Sequence, residues 1–219
     1  MPDNLKRYGL RWFKGPNGES TPGIERHRVA DAYHKTINGG GTVDLNIGDV
    51  VALVSDGTIA HCDGTEGAGG ELEPYGVIAS IIEYFDGTRM VTNTKVPGAT
   101  TGGGVEGRIT KVGVIPLGRN YFKMQADDKT TAATEAAYRA FLGENCEFVN
   151  TYLAATRQAN PQLDISTHAV TATFAFRLVD IAQTVNNIDF AESNVDLVVQ
   201  GNALTQAGAP SNATIRVGV

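Results

Sequence analysis

Apolar and polar residues alternate with a period of two along much of this chain, the spacing that lays every second side chain on one face of a β-strand. Val43, Leu45 and Ile47 alternate with Asp44 and Asn46. Gly48-Asp49 follows, then the apolar run Val50 to Val54. Asp56-Gly57 signals a hairpin-type turn, with Thr58 to Cys62 as the return strand. Gly76 to Phe85 is apolar on both faces, and its β-branched and aromatic content predicts a buried strand rather than a helix. Val105 to Ile115 resumes the β pattern and Pro116 ends it. Phe122 and Met124, set against Lys123 and Gln125, predict another short strand. Glu147 to Thr151, then Val170, Ala172, Phe174, Phe176 and Leu178 in long alternation, Val195 to Val199, and Ile215, Val217 and Val219 complete roughly ten strands. One segment differs. Ala132 to Leu142 is rich in helix formers, with Asp127, Asp128 or Thr130 as N-cap and Gly143 as C-cap signal. Ala133, Ala136, Ala137, Tyr138 and Phe141 would lie against the sheet.

This pattern predicts a mainly β fold: an antiparallel β-barrel or sandwich, in one or two modules, with one short α-helix (about 130–142) and an extended N-terminal arm. Residues 1–41 read as the arm with a first strand, and 42–219 as the β-rich domain, divisible into packed modules 42–118 and 119–219. No repeat of 20–50 residues marks a solenoid or propeller. In the arm, Tyr8, Leu10, Trp12 and Phe13 place bulky apolar groups in a polar terminus. Such groups need something to bury them, either the chain's own core or a neighbouring subunit.

Composition sharpens the picture in three places. Hydrophobic residues make up 42% and charged residues 19% of the 219, a globular balance. The 26 glycines favour turns and bulges between short strands. The net charge of −6 argues against a nucleic-acid partner, because phosphate contacts require a basic face. Lys6, Arg7, Arg11 and Lys14, with Arg26 and Arg28 beyond, form the one basic cluster; it is a solvated surface or an arm that meets acidic protein. Cys62 and Cys146 show no paired spacing, which fits neither a disulfide framework nor a zinc motif and suits a reducing compartment. The start, Met1 to Lys6, lacks the apolar stretch of a secretory leader, and no run is long enough to span a bilayer. The expectation is a cytosolic product with no membrane partner.

Candidate chemistry is sparse. Gly102-Gly103-Gly104-Val105-Glu106-Gly107 fits the dinucleotide-loop string but leads into a strand pattern, where no helix N-terminus awaits a pyrophosphate. His27, His34, His61 and His168 lack helical i, i+4 pairing, and His61 and Cys62 as strand neighbours point to opposite faces. Asp127-Asp128 reads as capping. Cys62 and Cys146 sit in strand-like surroundings, where a free Cys acts as a small hydrophobe. Asn212-Ala213-Thr214 is a glycosylation sequon without a secretory route. Asp127 with Asp164 or Glu147 is the kind of carboxylate pair that a carbohydrate hydrolase needs, although no spacing singles it out. No catalytic residue, cofactor or metal site is expected.

A series of short motifs in fixed order carries a resemblance. It comprises Tyr8-Gly9-Leu10-Arg11, Gly48-Asp49-Val50-Val51, Pro74-Tyr75-Gly76-Val77, Tyr121-Phe122-Lys123-Met124-Gln125 and Gly143-Glu144-Asn145-Cys146. Gln162-Leu163-Asp164, Phe174 with Arg177-Leu178-Val179, and Val195 to Asn202 complete it. Together they resemble tailed-phage virion structural proteins of the head decoration, or capsid cement, type. The extension beyond Asn202 and the arm after Arg11 depart from that pattern. The resemblance implies a non-enzymatic protein made in the host cytoplasm and carried on the virion head surface. It would bind the major capsid protein and itself, as a homotrimer in preference to a homodimer. Tyr8, Leu10, Arg11, Trp12 and Phe13 are the interface residues expected on this reading. The alternatives are another virion component, in the minor head, neck or tail, and a carbohydrate-active hydrolase.

Overall fold

In the computed structural model the chain is mainly β, with antiparallel sheets and one short helix. The structure describes residues 9–15, 17–29, 36–37, 41–42, 44–53, 57–62, 74–85, 90–91, 95–96, 111–118, 120–127, 131–153, 158–170, 174–182, 190 and 195–201. Within them the first strands are β1 (Arg11–Lys14), β2 (Glu25–Arg28), β3 (Thr36–Ile37), β4 (Gly41–Thr42), β5 (Leu45–Asn46), β6 (Val50–Leu53), β7 (Ile59–His61) and β8 (Pro74–Phe85). Then come β9 (Met90–Val91), β10 (Lys95–Val96), β11 (Lys111–Pro116), β12 (Tyr121–Gln125), helix α1 (Glu135–Ala140), β13 (Asn145–Leu153), β14 (Gln158–Ala169), β15 (Phe176–Ile181) and β16 (Asp196–Gly201).

Two sheets carry the architecture. One runs β1-β12-β16-β15-β13-β14, the other β2-β11-β8-β6-β7 with β9 beside β8. The segment read as an arm therefore supplies β1 to the first sheet and β2 to the second. One parallel bridge brings each sheet back toward its start, Ala126 to Leu163 in the first and Val29 to Ile59 in the second. Neither closes as a continuous barrel, and the arrangement is sandwich-like.

The main core explains the continuous apolar runs. Val50, Ala52, Val77 and Ile115 of the second sheet pack with Phe122, Phe148, Phe176 and Leu197 of the first. Their strand neighbours Val51, Ile78, Val112 and Val114 turn the other way, into a smaller cluster with Leu45 and Ile59. A strand buried on both faces loses its period-two polarity, as β6 and β8 do. Each large side chain taken from water contributes about 1.5–3 kcal/mol. Phe148 and Phe176 also meet edge to face at 5.6 Å.

Several expectations are corrected. The helix is Glu135–Ala140, shorter than 130–142, and its N-cap is Thr134, whose Oγ1 accepts the Ala137 N–H at 3.2 Å. Asp127 does not cap it; its carboxylate accepts the Ile165 N–H at 3.2 Å, tying the end of β12 to β14. Tyr138 is the buried face, while Ala133 and Ala136 are exposed. Val170 is 87% exposed and lies past the end of β14, so the long alternation begins only at Phe176. Asp44 and Asn46 are buried and Ile47 is exposed, opposite to the pattern. Their polar atoms are satisfied locally: Lys95 meets Asp44 at 2.6 Å, and Asn46 Nδ2 donates to the Asp44 carbonyl at 2.8 Å. Tyr8, His34, Asp128, the Gly102–Gly107 string and the expected strand through Ile215, Val217 and Val219 lie outside the described residues.

Candidate partner interface

Among the described residues β1 is an edge strand flanked only by β12, in register Arg11 with Lys123, Trp12 with Phe122 and Lys14 with Tyr121; the pairing is irregular at Phe13. Entry into the strand is fixed by two glycines. The Leu10 N–H donates to the Gly48 carbonyl at 2.9 Å, and a Cβ on Gly9 would stand 2.4 Å from that same oxygen. Backbone packs on backbone there, which only glycine permits.

The expected interface residues divide in two. Leu10 is 2% exposed and belongs to the chain's own core. Trp12 is half-buried on that core, with its indole N–H donating to Asn120 Oδ1 at 3.4 Å. Phe13 is 43% exposed and Arg11 is exposed, so these two face outward. Lys14 of the expected basic cluster lies beside them, with Tyr121 and Lys123, which the sequence reading did not place at this surface. Lys123 Nζ lies 5.0 Å from the Phe13 ring centroid, and Lys14 Nζ lies 4.7 Å from that of Tyr121. Cation–π contacts of this kind hold flexible cations on aromatic faces. The usable signal was the outward parity of Lys123 on a short strand, but its pairing with β1 is non-local.

Other polar clusters have structural explanations. Asp49 is fully buried; its Oδ2 accepts the Asn46 N–H at 2.8 Å and faces His61 Nε2 at 3.1 Å. Burial pushes the Asp49 carboxyl above the usual range, opposed by His61 and the Asn46 N–H. Glu144 meets His168 Nδ1 at 2.7 Å, and Phe141 stacks on that imidazole. Glu25 receives the Tyr75 hydroxyl and His27 Nε2, the latter at 3.2 Å. Among the described residues no three metal-ligating side chains converge, and none of their helices is long and apolar enough to cross a membrane.

Of the carboxylates considered for a hydrolase, Asp127 with Asp164 or Glu147, it is the two alternatives that the strands pair directly with each other, not either of them with Asp127. Glu147 and Asp164 are cross-strand partners on β13 and β14. Burial, then the Asp164 charge, raises the Glu147 pKa. Asp164 is committed to its own turn, where Oδ1 accepts the Ser166 N–H at 3.0 Å and its hydroxyl at 2.6 Å. Asp127 holds the Ile165 amide. Both carboxylates hold the irregular stretch of β14 in place.

No protein-family model matches this chain, and no curated protein is similar enough in sequence to match it.

Proposed function

We propose that this chain is a head decoration protein of a tailed phage, which attaches to the major capsid protein on the outer surface of the shell and ties neighbouring subunits together. The observation that carries the reading is the exposed edge strand β1. It presents Phe13 and Arg11 beside Lys14 and Lys123 on the rim of a sheet that can accept another strand. The ordered motifs from Tyr8-Gly9-Leu10-Arg11 to Val195–Asn202 support it. Attachment of this kind needs aromatic anchors and backbone edges, and symmetric copies turn modest single contacts into strong net binding.

The test is co-sedimentation with procapsids and expanded heads of the parent phage, with bound copies counted. Saturation near the number of capsid subunits on expanded heads is expected. Binding at a dozen copies or fewer, or none, overturns the reading. Two variants separate surface from core. Phe13→Ala is expected to leave stability within about 0.5 kcal/mol, as exposed substitutions do, and to weaken attachment. Leu10→Ala is expected to cost about 2–4 kcal/mol through the cavity it leaves. Undiminished attachment of Phe13→Ala would remove β1 from the interface.

A further inference from the structure

The two sheets repeat one another in detail. Apart from β1, each has five principal strands that, numbered in chain order, lie first-fifth-fourth-second-third, and each brings its third strand back to its first by a parallel bridge. The second strand starts in both with a glycine at positive φ followed by an acid: Gly48-Asp49 at +94° and Gly143-Glu144 at +91°. The Gly48 N–H donates to the Ile78 carbonyl at 2.9 Å, and the Gly143 N–H to the Leu178 carbonyl at 2.8 Å. Return bonds run from the Ile78 N–H to Asp49 O at 3.0 Å and from the Leu178 N–H to Glu144 O at 2.9 Å. The fourth strand bulges at the same place, skipping Ala79 in one sheet and Val179 in the other.

This register superposes β2 on β12. Val29 corresponds to Ala126 through the bridges, Arg26 to Lys123 and Ile24 to Tyr121. In the first sheet the outer edge at Tyr121–Lys123 is covered by β1. In the second, among the described residues, no strand covers the outer edge at Ile24–Arg26. Ile24 there is 51% exposed. The charge around it is one-sided: Arg26, Arg28 and Lys111 are exposed. Glu25 is already engaged by Tyr75 and His27.

We infer that the β2 edge at Ile24–Arg26 is a strand-addition site that takes an extended, acidic segment of a partner protein, as its counterpart on β12 takes β1. A second copy of this chain fits less well, since β2 against β2 opposes Arg26 to Arg26, and β1 against β2 brings Arg11 and Lys14 to the same cations. The site is separate from the β1 surface and does not depend on the capsid reading.

The probe is a synthetic peptide of residues 9–15, the natural occupant of the equivalent edge, with Arg11→Glu and Lys14→Glu. Titrated at low salt against the full chain labelled with 15N, it is expected to shift amides of 24–29 and 111–114 and to slow hydrogen exchange at 24–26. The unsubstituted peptide is expected to bind roughly tenfold more weakly, because like charges face each other. An Arg26→Glu, Arg28→Glu double variant, changed only at exposed positions, is expected to invert that preference. Shifts elsewhere, equal binding of a backbone N-methylated peptide, or slow exchange at 24–26 before any peptide is added would overturn the assignment.

Discussion

Cys146 and Glu147, adjacent on β13, show how burial sets the chemistry of a side chain. Cys146 is fully buried; burial first, then the charges of Glu144, Asp164 and Asp127, push its thiol up to about 12. Cys62 is buried as well. A thiol reacts as thiolate, so the raised pKa makes Cys146 inert in the folded chain, and burial shields Cys62 from reagent. Labelling with a thiol-disulfide reagent at pH 8 should be slow in the native protein and reach two thiols only in denaturant; a rapid native phase would contradict the packing around β13. Glu147 differs in being half-buried, with its pKa raised by desolvation and by Asp164 opposite it. The folded chain therefore holds this proton more tightly than the unfolded chain does. Stability is lost as pH rises from the ordinary Glu value through the raised one. Glu147→Gln removes that loss. Its gain at pH 7 should be on the order of a few tenths of a kcal/mol, as for a solvent-screened like-charge pair, and should vanish by about pH 3, well below the unfolded pKa. Urea titrations at the two pH values check it, and an equal gain at both would mean that charge is not the cause.

The turns that start β6 and β13 share one geometry and differ in surroundings, which separates conformational strain from packing. Both Gly48 and Gly143 have positive φ, so alanine at either costs about 1 kcal/mol in backbone strain. A Cβ at Gly143 finds only the far end of Arg177 at 3.5 Å. At Gly48 it meets the Gly9 backbone and the Leu10 carbonyl at 3.2 Å, and β1 enters the sheet there. Gly48→Ala should thus cost about 2–3 kcal/mol against about 1 for Gly143→Ala, measured as unfolding free energies; equal losses would show that the Gly9 contact yields freely. The elements legible in the sequence are those whose side chains report burial directly. β8, β12 and the β6–β7 hairpin stand close to where their apolar residues put them. β14 was not legible. No strand pattern marks Gln158-Ala159-Asn160-Pro161-Gln162, yet Asn160 and Gln162 are buried, and Gln162 Nε2 donates to the Ala126 carbonyl at 3.0 Å. Proline is tolerated there because β14 ends the sheet order. The candidate interface was half legible: aromatic content marked β1, but which rings face out depends on β12, more than a hundred residues away in sequence.

Two like sheets suggest unfolding in two steps, but the packing argues for one. The main core draws Val50, Ala52, Cys62, Val77, Ile115 and Leu117 from the second sheet into contact with the aromatic centre of the first. The Asn150 amide, buried on β13, donates to the Cys62 carbonyl at 2.6 Å, and β1 joins the first sheet while bonded to Gly48 of the second. Separating the sheets would expose that whole face and leave buried polar groups without partners, a penalty of about 1–3 kcal/mol for each such group alone. Among the described residues, the smaller cluster inside the second sheet, centred on Val51, Ile78 and Val112, is much smaller than the shared core. Trp12, the only tryptophan, reports on β1 at the edge of the first sheet, whereas far-ultraviolet circular dichroism reports on both. In a urea titration the two signals should share one midpoint and one slope. A tryptophan transition that preceded the dichroism would mean that β1 detaches first. Two separate dichroism transitions would mean that the repeated sheets are independent folding units and that the shared core contributes little.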